Sequence, residues 1–247
     1  MDAKPSLVDH VYLTYRSLRI GLALICFAIP IGLIVVGFMT NIRIQDSLSD
    51  YYYAEFPPRL LRVLFVGLLF LLGGLMVAYR GFDTWDNWIH NLVGVFALGV
   101  AIFPMQCPDI PHSELCYSQG PVKTHYVSAL LLFACSIGSI AYNGGKTFKE
   151  LCMKHIDDKI RSFLVVRAIS GSIVFGGIIY ALMMLGIGGK ELFGKYVWIP
   201  ESMGFIGFGL YWGALTGYIF VANRRVEAKV KASLLREEGE RPTRAIP

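Results

Sequence analysis

Three polar side chains on the predicted outer side of this chain are of the types that cooperate in hydrolysis. Ser49 and Asp50 lie within the string SLSDYYY, and His125 opens a later apolar stretch. Hydrolases combine a serine nucleophile or a metal-bound water with a histidine base and an orienting carboxylate. The sequence carries no GxSxG, HExxH or HxxxH motif. The alternative is structural, because Ser49 and Asp50 can instead cap a short interfacial helix by accepting hydrogen bonds from its amides.

The same region also has the composition of a binding site for a lipid headgroup. Arg59 and Arg62 are three residues apart, so they share one helix face and can bind a phosphate or pair with Asp50. Tyrosines are enriched at the headgroup level of membranes. We predict that a membrane lipid or a small amphipathic ligand binds at this outer mouth, through Asp50, Tyr52, Arg59, Arg62, His125 and Glu201.

A second polar cluster is predicted on the inner side, between the second and third apolar stretches. Its members are Arg80, Asp83, Asp86, Asn87 and His90. Asp83 or Asp86 can cap the helix that follows, where the helix dipole favours negative charge. We interpret the cluster as a helical hairpin held together by its charged side chains. His90 is then a hydrogen-bonded structural residue in preference to a metal ligand. The sequence predicts no metal site and no cofactor.

Six apolar stretches must position these clusters. The chain has 247 residues, of which 55% are hydrophobic and only 17% are charged, so long apolar runs fill most of it. A bilayer core about 30 Å thick is crossed by about 20 apolar residues in a helix, and backbone groups in lipid must be paired internally. We therefore predict an all-α fold, a polytopic membrane bundle of six transmembrane helices in one domain, over residues 20–39, 60–79, 89–105, 125–142, 163–186 and 202–222.

The positive charges orient this bundle. Seventeen Lys and Arg residues lie in the two terminal segments and in the two connections predicted on their side, and six lie in the other three connections. The positive-inside rule then places both termini in the cytoplasm. We expect the basic, partly disordered tail over residues 223–247 to meet anionic lipid headgroups. The net charge of +5 requires no nucleic-acid partner, and the prediction is a multi-pass protein of the cell membrane.

Two cysteines lie in a predicted outer connection. Cys107 and Cys116 are nine residues apart in a Pro-containing loop, which can close a disulfide in an oxidising compartment, and two free thiols are the alternative. Cys26 and Cys135 lie within predicted spans and are expected to be packing residues.

The sixth apolar stretch carries a series of glycines. Gly209, Gly213 and Gly217 lie on one helix face, which predicts close packing within the bundle or contact with a second copy or a partner subunit.

Ionisable residues are almost absent from the middle of the predicted spans, although transporters and pumps keep such groups there. We therefore expect function at the two rims of the bundle rather than along a polar path through it.

Several strings in the first half of the chain resemble those of a group of bacterial six-helix membrane proteins of uncharacterised activity. They are SLSDYYY, RVLFVG, YRGFD with the following DN, AIFP and the histidine that opens the fourth stretch, within residues 47–129. The resemblance implies the six-helix architecture and a bacterial inner membrane, and it implies no activity. A looser similarity is to membrane hydrolases of the alkaline ceramidase and adiponectin receptor type, which use Ser, Asp and three His around zinc. That similarity implies Ser49, Asp50 and His125 as site residues, while the family's HxxxH pair is missing here.

Overall fold

All regular structure in the described part of the chain is helical. The computed structural model describes residues 7–54, 59–105, 119–152, 157–186 and 197–239. The helices are α1 (Leu7–Met39), a short 3-10 helix (Leu48–Tyr52), α2 (Leu60–Ala78), α3 (Thr84–Ile102), α4 (Gln119–Cys152), α5 (Asp157–Gly186) and α6 (Trp198–Gly239).

Four of these helices contain stretches long and apolar enough to cross a membrane. A shorter apolar segment, Ser162–Ile178, lies in α5, and α3 has 19 residues. Helices of this length and composition are typical of integral membrane proteins. The four candidate spans are His10–Met39, Leu60–Ala78, Val122–Thr147 and Trp198–Phe220.

The six helices form a closed ring in which each helix contacts the next along the chain. Helix α1 also contacts α6, which closes the ring, and α4 contacts α6 across it. The side chains at the centre of α6 are among the largest fully buried ones, namely Tyr211 and Trp212. Helix α6 is therefore the element against which α1, α4 and α5 all pack.

Glycines allow these close approaches to α6. A methyl group added at Gly204 would lie 2.2 Å from the Phe133 ring of α4, and one at Gly207 would lie 2.9 Å from the Ser170 carbonyl oxygen of α5. Within the predicted glycine series, Gly209 packs against α1, where an added methyl group would lie 3.0 Å from Cys26 Cβ. Gly213 and Gly217 are exposed, and no described heavy atom comes closer than 4.0 Å to a methyl group added at either one.

Four helices are longer than the apolar stretches that predicted them. Helix α1 begins at Leu7, before the predicted residue 20, and α5 begins at Asp157, before the predicted residue 163. Helix α4 begins at Gln119 and ends at Cys152, beyond the predicted 125–142, and α6 continues past residue 222 to Gly239. The tail over residues 223–247 was expected to be partly disordered, and it is helical to residue 239. Hydropathy identifies only the part of a helix that can lie in lipid. The helix itself can extend further where residues of high helix propensity follow, such as Ala, Leu, Lys and Glu. Cys107, Cys116 and the last eight residues lie outside the described residues, and Cys26 and Cys135 are free thiols.

A close helix crossing joins α2 to α3. A methyl group added at Gly73 would lie 2.7 Å from Leu98 Cγ and 2.9 Å from the Gly94 carbonyl oxygen. One added at Gly94 would lie 2.7 Å from the Gly73 carbonyl oxygen. The two backbones therefore touch, which is how helices associate in membranes, where burial of apolar surface gives no driving force between them.

Replacement of Gly73 by alanine tests this crossing. We expect Gly73→Ala to lower the thermal unfolding midpoint of the purified protein, because overpacking costs about 1–3 kcal/mol. The matched control is Gly74→Ala, since no described atom lies within 4 Å of a methyl group added there. Alanine there should stabilise the helix by up to about 1 kcal/mol. Equal midpoints for the two variants would contradict the crossing.

Candidate functional site

A short segment that follows α1 closes one end of the bundle. This 3-10 segment (residues 46–53) is built on a capping box. The Ser47 hydroxyl oxygen accepts a hydrogen bond from the Ser49 amide at 3.0 Å, and the Asp50 carboxylate accepts one from the Ser47 amide at 2.9 Å. Such reciprocal bonds satisfy amides that a helix start leaves unpaired. We call the end of the bundle where this segment lies the 3-10 end.

The first turn of α6 holds this segment in place. The Glu201 carboxylate accepts hydrogen bonds from the Ser47 hydroxyl at 2.9 Å and from the Leu48 amide at 2.6 Å. The Trp198 amide donates to the Asp46 carbonyl oxygen at 2.9 Å. Glu201, predicted as a ligand-binding residue, is thus already engaged with groups of the protein itself.

The structure brings Ser49 and His125 together. His125 Nδ1 lies 2.7 Å from the Phe103 carbonyl oxygen, and its Nε2 lies 3.0 Å from Ser49 Oγ. Because a carbonyl only accepts, the hydrogen-bond network assigns the proton to Nδ1, so Ser49 donates to Nε2. Ser49 and His125 are 5% and 3% exposed. This arrangement is that of a nucleophile and a base, with a backbone carbonyl orienting the base.

Asp50 does not take the orienting role that the hydrolase interpretation required. Its carboxylate is bound to the Ser47 amide, and the Phe103 carbonyl occupies His125 Nδ1 instead. Burial raises the pKa of Asp50 to about 6; the Ser47 amide acts in the opposite direction, and the nearby Asp46 carboxylate adds to the increase. The carboxylate is thus a structural cap whose charge is poorly solvated.

The three tyrosines of the segment have three different environments. Tyr51 is buried beside Gly37 of α1, and the Tyr53 hydroxyl donates to the Met105 carbonyl oxygen at 3.2 Å. Tyr52 accepts a hydrogen bond from Arg62, whose guanidinium carbon also lies 4.1 Å from the centre of the Tyr52 ring. One alternative from the sequence was that Arg62 pairs with Asp50. In the structure Arg62 pairs with Tyr52 instead.

The second predicted cluster lies at the opposite end, where residues 79–83 join α2 to α3. Asp83 is the N-cap of α3 and accepts from the Asp86 amide at 3.0 Å. The hydrogen bond from Lys146 of α4 is the main reason why the pKa of Asp83 is lowered to about 2, with the Asp86 amide as the second cause. Asn87 accepts from the Gly81 amide at 2.7 Å. We call this the hairpin end.

Asp86 is not at the rim, as a capping role would require, but fully buried. Its Oδ2 accepts hydrogen bonds from the Phe82 amide at 2.9 Å and from the Asn143 side chain at 3.1 Å. A methyl group added at Gly81 would lie 2.2 Å from that oxygen, so only glycine permits this approach. Arg80 is exposed and makes no ion pair with a described residue.

His90 extends this buried network to α4. Its Nε2 lies 3.0 Å from Ser139 Oγ, and its ring packs edge-on against Tyr79 with centroids 5.0 Å apart. On α4, Asn143 Oδ1 accepts from the Tyr211 hydroxyl of α6 at 2.9 Å. Buried polar side chains thus connect α3, α4 and α6 at the hairpin end.

Both clusters share one face of α4 that sequence reasoning missed. Buried polar side chains recur along α4 at helical spacing, interrupted by the buried Leu132. The sequence contains the signal for this face, which is a series of polar residues three or four positions apart in an apolar helix, since residues at that spacing lie on one side. The expectation from the sequence concerned ionisable residues in the middle of the spans, whereas the members of this face after His125 are uncharged Ser, Asn and Thr side chains. The polar members of this face are His125, Ser128, Ser136, Ser139, Asn143 and Thr147.

No group of three His, Cys, Asp or Glu side chains in the described residues is placed to hold a metal ion. Comparison with known proteins finds no matching family model, no similar curated protein and no similar solved structure. The site must therefore be judged from its own geometry.

Replacement of Asp50 by asparagine tests the poorly solvated carboxylate. Because the folded-state pKa lies above the ordinary 3.8, the folded protein binds more protons between these values, and the contribution of Asp50 to stability falls as pH rises through about 6. Asparagine can still accept from the Ser47 amide. We expect Asp50→Asn to raise the thermal unfolding midpoint at about pH 8 and to change it little at about pH 4.

The control for this prediction is Asp46→Asn, which removes an exposed neighbouring carboxylate. Its effect should be smaller than that of Asp50→Asn. A destabilised Asp50→Asn protein at the higher pH would show that the ionised carboxylate is needed.

Proposed function

We propose that this protein binds the anionic headgroup of a membrane lipid beside the 3-10 segment, through Arg59 and Arg62. Arg59 is the N-cap residue of α2, with a left-handed backbone (φ 55°) and no capping bond from its side chain. The first turn of α2 contains no acidic residue. The positive end of the helix dipole and two guanidinium groups therefore coincide, which favours a bound anion.

The single observation that carries this proposal is that two arginines lie at the start of α2 without an ion-pair partner among the described residues. In the described residues, neither Arg59 nor Arg62 has an ion-pair partner. The stacking of Arg62 on Tyr52 fixes the guanidinium plane, and a fixed guanidinium can donate two parallel hydrogen bonds to a phosphate.

The neighbouring surface suits the apolar part of a lipid. Leu60 and Val63, which alternate with the arginines on α2, are 47% and 65% exposed. A ligand with an anionic head and an acyl tail matches this combination of charge and apolar surface, whereas a free anion would use only the charge.

We further propose that all six helices cross the membrane, with both termini in the cytoplasm. The distribution of Lys and Arg supports this orientation. The 3-10 end is then outside, and the arginine pair lies at the outer headgroup level. The resemblance to six-helix membrane proteins supports the number of spans. Lipids would be the main partners, while exposed Gly213 and Gly217 leave a surface for a second copy or a partner subunit.

Lipid retention tests the arginine site. We expect the wild-type protein, reconstituted with phosphatidylglycerol and then washed in mild detergent, to retain this lipid in a mass spectrum of the intact complex. The double variant Arg59→Ala, Arg62→Ala should lose at least about tenfold in lipid affinity, because two charge-assisted contacts of about 1 kcal/mol or more are removed.

The matched control is Arg43→Ala, which removes an exposed arginine from the connection between α1 and the 3-10 helix and not from α2. Its lipid retention should equal that of the wild-type protein. Retention that is unchanged in the double variant, or lost equally in Arg43→Ala, would refute the site.

A lipid hydrolase is the second candidate function, and the hydrogen bond between Ser49 and His125 favours it. In such a reaction Ser49 Oγ attacks an ester carbonyl carbon while His125 Nε2 takes the hydroxyl proton and later returns it to the leaving alcohol. Water then cleaves the acyl-serine. Both side chains are buried, so a substrate reaches Ser49 only when the 3-10 segment moves.

A fluorophosphonate probe, which labels activated serines, tests this second candidate. If Ser49 is a nucleophile, labelling should vanish in Ser49→Ala and slow by about 100-fold or more in His125→Asn, because general base catalysis contributes at least that factor. Ser128→Ala, which changes another buried serine on the same face of α4, is the control. Equal labelling of wild type and Ser49→Ala would exclude the reaction.

A further inference from the structure

Two fully buried polar atoms face each other in α3 without a hydrogen-bond partner among the described residues. They are Asp86 Oδ1 and His90 Nδ1, which lie 3.6 Å apart, and both side chains are 0% exposed. Asp86 Oδ2 is occupied by the Phe82 amide and the Asn143 side chain. An unpaired buried carboxylate oxygen is costly, so we expect a hydrogen on His90 Nδ1 to point at Asp86 Oδ1.

We propose that Asp86 and His90 form a binding site for one exchangeable proton inside the bundle. A hydrogen on His90 Nδ1 satisfies both unpartnered atoms, with a small adjustment from 3.6 Å to hydrogen-bond distance. The rings of Tyr79 and Trp212 lie 5.0 and 5.5 Å from the imidazole centre. These contact distances exclude a bulky organic cation.

Ser139 lets the site exist with and without the bound proton. In the neutral state Nδ1–H donates to Asp86, and the Ser139 hydroxyl donates to Nε2 at the observed 3.0 Å. When a second proton binds at Nε2, the hydroxyl rotates, accepts from the imidazolium and can donate to a carbonyl one turn earlier in α4. No buried atom of His90 is left unpaired in either state.

The titratable and charged groups around the site come from α1, α2, α4, α5 and α6. The tyrosines near the site are Tyr79 at the end of α2, Tyr15 of α1 and Tyr211 of α6. Arg19 of α1 is buried and donates to the Tyr15 carbonyl oxygen, and Arg167 of α5 donates to the carbonyl oxygens of Ile140 and Ala141. Lys146 and Tyr142 of α4 bind Asp83 at the rim. Burial of the imidazole opposes a positive charge on it, whereas the Asp86 carboxylate, which faces it at 3.6 Å and has no other cationic partner among the described residues, favours one.

The buried pair lies near the hairpin end, separately from the arginine pair at the 3-10 end. At the rim the partly exposed Asp83 caps α3 by accepting a hydrogen bond from the Asp86 amide.

Nitrogen-15 NMR of the full chain with labelled histidine, reconstituted in lipid nanodiscs, tests the proposal. The His90 signal is assigned with His90→Gln. We expect the neutral His90 to carry its hydrogen on Nδ1 and to titrate reversibly to the imidazolium. In Asp86→Asn the midpoint should fall by about one pH unit or more, a tenfold loss of proton affinity.

Asp83→Asn is the matched control, because it removes a carboxylate three residues earlier on the same helix that Lys146 already neutralises. Its His90 midpoint should stay within about 0.3 pH unit of wild type. A wild-type His90 that does not titrate, or that carries its hydrogen on Nε2, would overturn the proposal even if Asp86→Asn fails to fold. Equal midpoints in Asp86→Asn and wild type would overturn it as well.

Discussion

The buried polar face of α4 is the feature on which the rest of this bundle depends. A polar side chain removed from both water and lipid must find its partners inside the protein. On α4 these partners come from three other elements: Ser49 of the 3-10 segment for His125, His90 of α3 for Ser139, and Tyr211 of α6 for Asn143. Each bond fixes the rotation of α4 against a neighbour. Because apolar contacts alone do not select one helix rotation in a bilayer, these few polar contacts specify the arrangement.

The two ends of the bundle use carboxylates in the same way, as acceptors for backbone amides. Glu201 and Asp50 bind amides of the 3-10 segment, and Asp86 binds the amide that follows Gly81. A carboxylate used in this way costs desolvation but ties an irregular loop to a helix. This explains why a loop of eight residues can lie against α1, α2 and α6 with Leu48 and Tyr51 fully buried.

The sequence predicted the helical class, the start of α2 and a cap by Asp83 or Asp86 because these depend on local properties. Apolar length defines a helix in lipid, and an aspartate before a helical run accepts the amides of its first turn. Contacts between residues that are distant in the sequence could not be predicted in this way. Asp86 is three residues from Asp83 and has the same chemistry, yet only the tilt of α3 against α4 places it inside. Likewise Ser49 and Asp50 are adjacent candidates, and the turn of the 3-10 helix alone decides that Ser49 meets His125.

The polar face of α4 does not make one continuous path through the bundle. His125 and Ser139 are fourteen residues apart, or about 21 Å along the helix. Between them Leu132 is buried at 2% exposure, and Ser136 donates its hydrogen bond to the Leu132 carbonyl oxygen one turn away. A proton relay requires polar groups within hydrogen-bond reach of one another, and this apolar step breaks the chain of described contacts. The imidazole at each end therefore acts in its own environment. His125 belongs to the region where lipid binding is proposed, and His90 belongs to the buried network at the hairpin end.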